Sequence, residues 1–277
     1  MTLIDRYAVF GHPIKHSQSP RIHKIFAEQT GQVLEYSAQE VPAEQFPAAV
    51  AAFFADGGKG LNCTIPLKEL AWDYADVKTE RALTAKAVNT LALQADGSIL
   101  GDNTDGIGLV TDLMSNHAIT LAGSRILILG AGGASRGIIA PILEQSVHSI
   151  VIANRTVGKA IDLAAEFHTK GSITGCGFSD LKNQQFDLII NATSTSLSGQ
   201  LPPLPEALLV NKGVCYDLAY SNEPTAFVRW GQDNQALKSL DGLGMLVEQA
   251  AEAFFIWRGI RPKTQPVIEQ LNAERMM

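Results

Sequence analysis

Arg125-Ile126-Leu127-Ile128-Leu129-Gly130-Ala131-Gly132-Gly133-Ala134-Ser135 is the stretch that decides the fold. Its first five residues make a short apolar run, the pattern of a strand buried on both faces. Glycines follow at once, and Arg136–Leu143 has the composition of a helix. Strand, glycine turn and helix in that order form the setting of a dinucleotide-binding loop. Gly130 permits the tight turn, and Gly132 lets the backbone approach a pyrophosphate at the helix N-terminus. Ser135 stands where the pattern has its third glycine. Stripped of its flanking elements, the loop would read only as a strand–helix turn.

The next strand, Ile150–Ala153, ends in Asn154-Arg155-Thr156, with Lys159 nearby. An NAD site carries an acid about 20 residues beyond the glycines, to hold the ribose hydroxyls. None stands here. A guanidinium does, and it can clamp a 2′-phosphate through two parallel charge-assisted hydrogen bonds. NADP(H) is therefore the expected cofactor; the plain alternative is a solvated surface Arg and Lys. Asn191-Ala192-Thr193-Ser194 follows another buried strand and offers small polar groups for the nicotinamide ribose side. Such residues are also ordinary in loops.

Outward from this region, short β-rich runs alternate with helical patterns, which predicts an α/β protein with mainly parallel strands. Strands are expected at Tyr7–Phe10, Leu34–Glu40, Gly60–Ile65, Asn89–Leu93, Ser98–Gly101, Phe186–Ile190, Val214–Tyr216 and Leu237–Leu240. Asp96-Gly97 is a hairpin turn. Ser19-Pro20 starts a helix, with Ser able to cap and Pro suited to the first position. Pro66 opens another, and the last two helices are expected at Met245–Trp257 and Thr264–Glu274. At 277 residues the chain suits two domains, and the strand–helix rhythm restarts after Asp105.

A net charge of −6 gives no sign of a nucleic-acid or membrane surface. No apolar run approaches the roughly 20 residues that span a bilayer. Cys63, Cys176 and Cys215 are odd in number and far apart, and His12, His16 and His23 lack a fourth ligand, so neither a disulfide framework nor a metal site is expected. The N-terminus lacks the pattern of a signal peptide, and a cytoplasmic setting is expected. A homodimer is compatible with the sequence, which does not fix the assembly.

Ligands of open α/β sheets sit beyond the carboxyl ends of the strands. The polar clusters fall there: Gly11–Ser19, Asn62 with Thr64, the glycine loop, Asn154-Arg155, Asn191–Ser194 and Asp217–Tyr220. Lys68 lies in the first turn of the helix after Pro66, where a cation opposes the helix dipole. That placement suits proton transfer. An exposed Lys pointing to water is the alternative. Asp105 ends Gly101-Asp102-Asn103-Thr104-Asp105 and reads either as a helix N-cap or as a carboxylate paired with Lys68. Ser17 and Ser19 can donate to a substrate carboxylate.

These runs, together with Gly11–Pro20, Asn62–Lys68, Ala87–Thr90, Tyr216–Tyr220 and Asp241–Gln249, resemble the shikimate dehydrogenase family over nearly the whole chain. The resemblance implies NADPH-dependent, reversible reduction of 3-dehydroshikimate to shikimate in aromatic amino-acid biosynthesis. It implies a catalytic pair, Lys68 and Asp105, and a carboxylate held by Ser17 and Ser19. Asn62, Thr64, Asn89, Asp105, Tyr220 and Gln249 would meet ring hydroxyls or the reacting oxygen. Cofactor contacts would fall on Gly130, Ala131, Gly132, Gly133, Ala134, Asn154, Arg155, Thr156, Lys159, Thr193, Ser194, Leu218, Gly242 and Met245, with Glu80 near the cleft. The C-terminal helices would return to the first domain. Residues 1–104 and 243–277 then form a substrate domain, and 105–242 a Rossmann-type doubly wound NADP domain.

The sequence departs from the family pattern at Lys24, Cys63 and Leu218, none of which is Lys68 or Asp105. A quinate/shikimate dehydrogenase would often use NAD, against which Arg155 argues. A non-catalytic paralogue would be expected to lose Lys68 or Asp105. Another two-domain NADP dehydrogenase would lack the Ser17/Ser19 loop and the Asn62–Lys68 segment.

Overall fold

The computed structural model describes residues 4–193, 195 and 199–275. The chain forms two compact units, one of residues 1–108 and 247–271, the other of 109–246 and 272–277.

The second unit is built on six parallel strands: β7 (Arg125–Leu129), β8 (Ser149–Ala153), β9 (Ile173–Cys176), β10 (Phe186–Asn191), β11 (Leu209–Asp217) and β12 (Lys238–Leu240). Their order is β12-β11-β10-β7-β8-β9. The direction of winding reverses between β7 and β10, which is where a doubly wound sheet opens its ligand crevice. The apolar run of β7 explains the layering. Ile126 and Ile128 enter one core with Ile138, Ile139 and Ile142 of α6 (Gly133–Leu143) and Leu163 and Phe167 of α7 (Val157–Phe167). Leu127 and Leu129 enter the opposite core with Phe227 of α8 (Ala226–Asp233). Each fully buried Leu or Ile contributes roughly 1.5–3 kcal/mol of burial, so covering both faces is what the run demands.

The first unit holds a mixed sheet ordered β2-β1-β3-β5-β6-β4. β1 (Asp5–Gly11), β2 (Leu34–Glu40) and β3 (Gly58–Cys63) are parallel. β5 (Thr90–Leu93) runs antiparallel to β3 and β6 (Ile99–Asp102), and β4 (Val77–Lys78) pairs with β6. Alternate residues of β1 and β3, namely Ala8, Phe10, Leu61 and Cys63, pack under α2 (Phe46–Ala55) and α3 (Lys68–Tyr74). On the other face, Phe26 of α1 (Ser19–Thr30) meets Phe254 of α9 (Leu243–Arg258), and Tyr7 meets Trp257. The remaining helices are α4 (Glu80–Ala85), α5 (Asp105–Thr111) and α10 (Gln265–Arg275).

Several elements differ from expectation. α3 begins at Lys68, two residues after Pro66, because the turn that closes Leu67 N–H onto the Thr64 carbonyl occupies the intervening residues. α6 begins at Gly133, three residues before Arg136, a start that glycine propensity conceals. β4 and β9 are two and four residues long, too short to show a period. A π-helical turn, Asp112–Asn116, continues α5.

Candidate active site

The first cluster grows from the carboxyl ends of β1, β3 and β6. Leu61 and Cys63 face the α2–α3 core, so the intervening Asn62 faces the opposite side of the sheet, where it is buried. Its Nδ2 donates to the Asn89 carbonyl and to Thr90 Oγ1, each at 3.1 Å. Its Oδ1 accepts the Tyr36 hydroxyl at 2.7 Å. Asn89 is buried beside it and works as a bracket. Asn89 Oδ1 accepts the Thr104 N–H at 2.9 Å, while Nδ2 donates to Thr104 Oγ1 at 2.9 Å and to Asp105 Oδ1 at 2.8 Å.

The second oxygen of Asp105, Oδ2, accepts from Lys68 Nζ. The two side chains are 16% and 8% exposed, so the pair is largely desolvated yet still accessible to a ligand. Withdrawing two charges from water costs several kcal/mol per ion, so such a pair is weak evidence of a stability role. Asp105 was open to two readings from sequence, and its carboxylate serves Lys68 and Asn89 and not the helix N-terminus. Gln249 of α9 places Oε1 at 3.4 Å from both Asn89 Nδ2 and Thr104 Oγ1.

The loop holding Asp105 is anchored from behind. Asp102 is buried and accepts Arg81 Nε at 3.0 Å, Arg81 Nη2 at 2.6 Å, Thr79 Oγ1 at 2.6 Å and the Asn103 N–H at 2.7 Å. Arg81 also donates to Glu252 at 3.0 Å, one turn from Gln249 on α9.

The loop after β1 is pinned to the loop after β3, His12 N–H donating to the Ile65 carbonyl at 2.9 Å. Gly11 allows this approach, since a Cβ there would lie 2.5 Å from Thr64 Cγ2. Ser17 is half-buried and its oxygen accepts the Ser19 N–H at 3.3 Å. The expected cap by Ser19 is absent: Gln18 is the N-cap residue of α1, without a side-chain cap bond. His23 is buried against Tyr36, the rings stacked at 4.1 Å, and burial pushes its pKa down to about 3, so it is neutral.

The second cluster belongs to the other unit. Gly130 has φ +104°, and its Cβ position lies 3.1 Å from the Ala192 carbonyl oxygen, so only glycine suits the turn. At Gly132 and Gly133 an added Cβ would enter open space. Gly132 caps α6 without any side-chain hydrogen bond, leaving the first-turn N–H groups to an external anion. Ser135 is buried, and its hydroxyl donates to the Gly130 carbonyl at 2.8 Å, closing the loop on itself. At the end of β8, Asn154 Nδ2 donates to the Thr156 carbonyl at 3.0 Å. Arg155, Thr156 and Lys159 are exposed, and Arg155 has no ion-pair partner among the described residues. Thr193 Oγ1 donates to Asn191 Oδ1 at 2.7 Å, and Asn191 in turn bonds the buried Asp217 at 3.1 Å, tying the loops after β10 and β11 together. Gly242 backs onto the Leu218 carbonyl, and the Met245 N–H donates to the Tyr216 hydroxyl at 3.3 Å.

Comparison with known proteins decides the lineage. Residues 9–91 match the model of the shikimate dehydrogenase substrate binding domain, 112–198 that of shikimate / quinate 5-dehydrogenase, and 242–271 that of the shikimate 5'-dehydrogenase C-terminal domain. The chain is 64% identical over 275 residues to the shikimate dehydrogenase (NADP(+)) of Methylococcus capsulatus, covering 99% of each protein. The chain belongs to the shikimate dehydrogenase family. A shikimate dehydrogenase crystallised with NADP+ superposes with a TM-score of 0.87 at 32% identity, over 99% of this chain and 96% of that one. The enzyme of Thermus thermophilus, in complex with NADP(H) and shikimate, gives 0.85 at 31% identity, over 98% and 100%.

Among the shikimate dehydrogenase candidates, Ser17, Ser19, Asn62, Thr64, Lys68, Asn89, Asp105 and Gln249 lie in the first unit, as does Glu80, exposed at the start of α4. Tyr220, half-buried, is in the second unit with the glycine loop, Asn154–Lys159, Thr193, Leu218, Gly242 and Met245. Ser194 lies outside the described residues. Sequence reasoning missed Tyr36, Thr104, Arg81 and the Asn191–Asp217 bond. Asp102 and Thr104 sit inside a quoted run and were findable; Tyr36 had only the alternation of β2 to mark it. Among the described residues no cluster of His, Cys, Asp or Glu is arranged for a metal ion, and no helix is long and apolar enough to cross a membrane.

Proposed function

We propose that the chain catalyses the reversible NADPH-dependent reduction of 3-dehydroshikimate to shikimate, in aromatic amino-acid biosynthesis in the cytoplasm. The observation that carries this reading is the Lys68–Asp105 pair, held by Asn89 in a unit that matches the family's substrate-binding domain.

The second unit fits the cofactor. Open space at Gly132 and Gly133, the uncapped start of α6 and the exposed Arg155 and Lys159 make a cradle for a pyrophosphate and a 2′-phosphate. Gly130–Ala134, Asn154–Lys159, Thr193, Leu218, Gly242 and Met245 would hold it. When bound, NADPH supplies the hydride that reduces the carbonyl carbon.

Lys68 supplies the proton. As an ammonium it donates to the carbonyl oxygen as negative charge develops there; in the reverse direction the neutral amine accepts the hydroxyl proton. Asp105 orients Nζ and compensates its charge, and Asn89 fixes the carboxylate so that it cannot rotate away. Ser17 and Ser19 bind the substrate carboxylate. The Ser17 oxygen accepts a backbone N–H, which leaves its own proton free for that anion. Asn62, Thr64 and Gln249 meet the ring hydroxyls. Asn62 has both amide hydrogens spent on Asn89 and Thr90, so toward a hydroxyl it serves as an acceptor.

Steady-state rates for shikimate and quinate, each with NADP+ and NAD+, test the reading. The highest kcat/KM is expected for shikimate with NADP+, roughly tenfold or more above the other three combinations. A preference for quinate with NAD+ would overturn it.

A further inference from the structure

Tyr36 lies on β2, the strand next to β1 on the side away from β3, outside every motif that marks this family in the sequence. Its hydroxyl nevertheless contacts a proposed substrate ligand, donating to Asn62 Oδ1 at 2.7 Å. The direction of this bond follows from chemistry. The Asn89 carbonyl can only accept, so the Asn62 nitrogen must face it and the Asn62 oxygen must face Tyr36. A phenol has one proton, and here it goes to Asn62.

The Tyr36 ring is itself fixed. His23 stacks on it at 4.1 Å with an interplanar angle of 5°, and Trp257 lies 6.2 Å away. Both His23 nitrogens are buried without a hydrogen-bond partner in the structure, so His23 acts toward Tyr36 as an apolar plate.

We infer that Tyr36 is a positioning residue for substrate: its hydroxyl steadies the Asn62 amide with the oxygen as acceptor. The inference rests on the proposed shikimate-binding reading of the first unit. Without the hydroxyl, Asn62 Oδ1 loses its donor in a buried place, and the amide loses one of the three bonds that hold its oxygen ready as an acceptor for a substrate hydroxyl. Binding of substrate suffers, while Lys68 and Asp105, which Tyr36 does not touch, keep their geometry.

The test is Tyr36→Phe, which keeps the ring and its stack on His23. KM for shikimate should rise about tenfold, with kcat and KM for NADP+ within about threefold of the parent and the thermal midpoint nearly unchanged. A double-mutant cycle with Asn62→Ala isolates the route. In the Asn62→Ala background, Tyr36→Phe should add little further loss, because its effect passes through Asn62. An unchanged KM for shikimate in Tyr36→Phe, a parallel rise in KM for NADP+, or fully additive losses in the cycle would each overturn the inference. Failure of the underlying reading looks different: the parent protein itself would show no shikimate-dependent reduction of NADP+.

Discussion

Lys68 Nζ donates to one oxygen of Asp105, and Asn89 holds the other at 2.8 Å. The two partners are 37 residues apart and stand on different elements, Lys68 at the first position of α3 and Asp105 at the first of α5. A cation at a helix N-terminus is poorly placed for stability, and Asp105 offsets that cost locally. Both charges are largely withdrawn from water. An arrangement so unfavourable to build and so tightly bracketed supports the proposed proton-transfer role.

The proposed reading assigns cofactor choice to Arg155. It is exposed, free of ion pairs among the described residues, and follows β8 where an NAD enzyme would carry an acid. Arg155→Asp removes a donor to the 2′-phosphate and adds the acid that suits a ribose hydroxyl. kcat/KM with NADP+ should fall about a hundredfold, while kcat/KM with NAD+ changes by no more than a few-fold. Equal losses with both cofactors, measured at one ionic strength, would mean that Arg155 does not read the phosphate.

The pH dependence of stability carries a signature of His23. Its pKa falls from 6.5 to about 3 on folding because the ring is buried. The unfolded chain therefore binds a proton that the folded chain refuses. The stability contribution is complete above pH 6.5 and is lost progressively as pH falls toward 3, by up to about 1.4 kcal/mol per pH unit. His23→Phe keeps an aromatic plate under Tyr36 and removes the titrating group. Urea unfolding from pH 7 to pH 4.5 should show a shallower decline for the variant, and parallel curves would contradict this.

The parts of this architecture that the sequence displays are those governed by neighbours along the chain. The five apolar residues of β7 announce a strand buried on both faces, and Ile126 and Leu127 do enter opposite cores. The glycine turn is local too, down to Ser135, whose hydroxyl closes onto Gly130 five residues back. Asp105 was ambiguous because a cap and an ion pair look alike until the fold brings Lys68 to it. Tyr36 was invisible for the same reason: its partner Asn62 is 26 residues away on a strand that is not its neighbour in the sheet. Ser19 shows the opposite error, a local cap expected where Gln18 takes the N-cap position.

The most direct test of the central claim is the turnover of Lys68→Ala with shikimate and NADP+, measured beside its KM. Lys68 is only partly buried, and Asp105 keeps its bond to Asn89 without it, so the fold should survive. The proton-transfer role predicts a kcat lower by about 10²–10⁴-fold with KM for shikimate within a few-fold of the parent. A kcat near that of the parent, or a loss confined to KM, would contradict it.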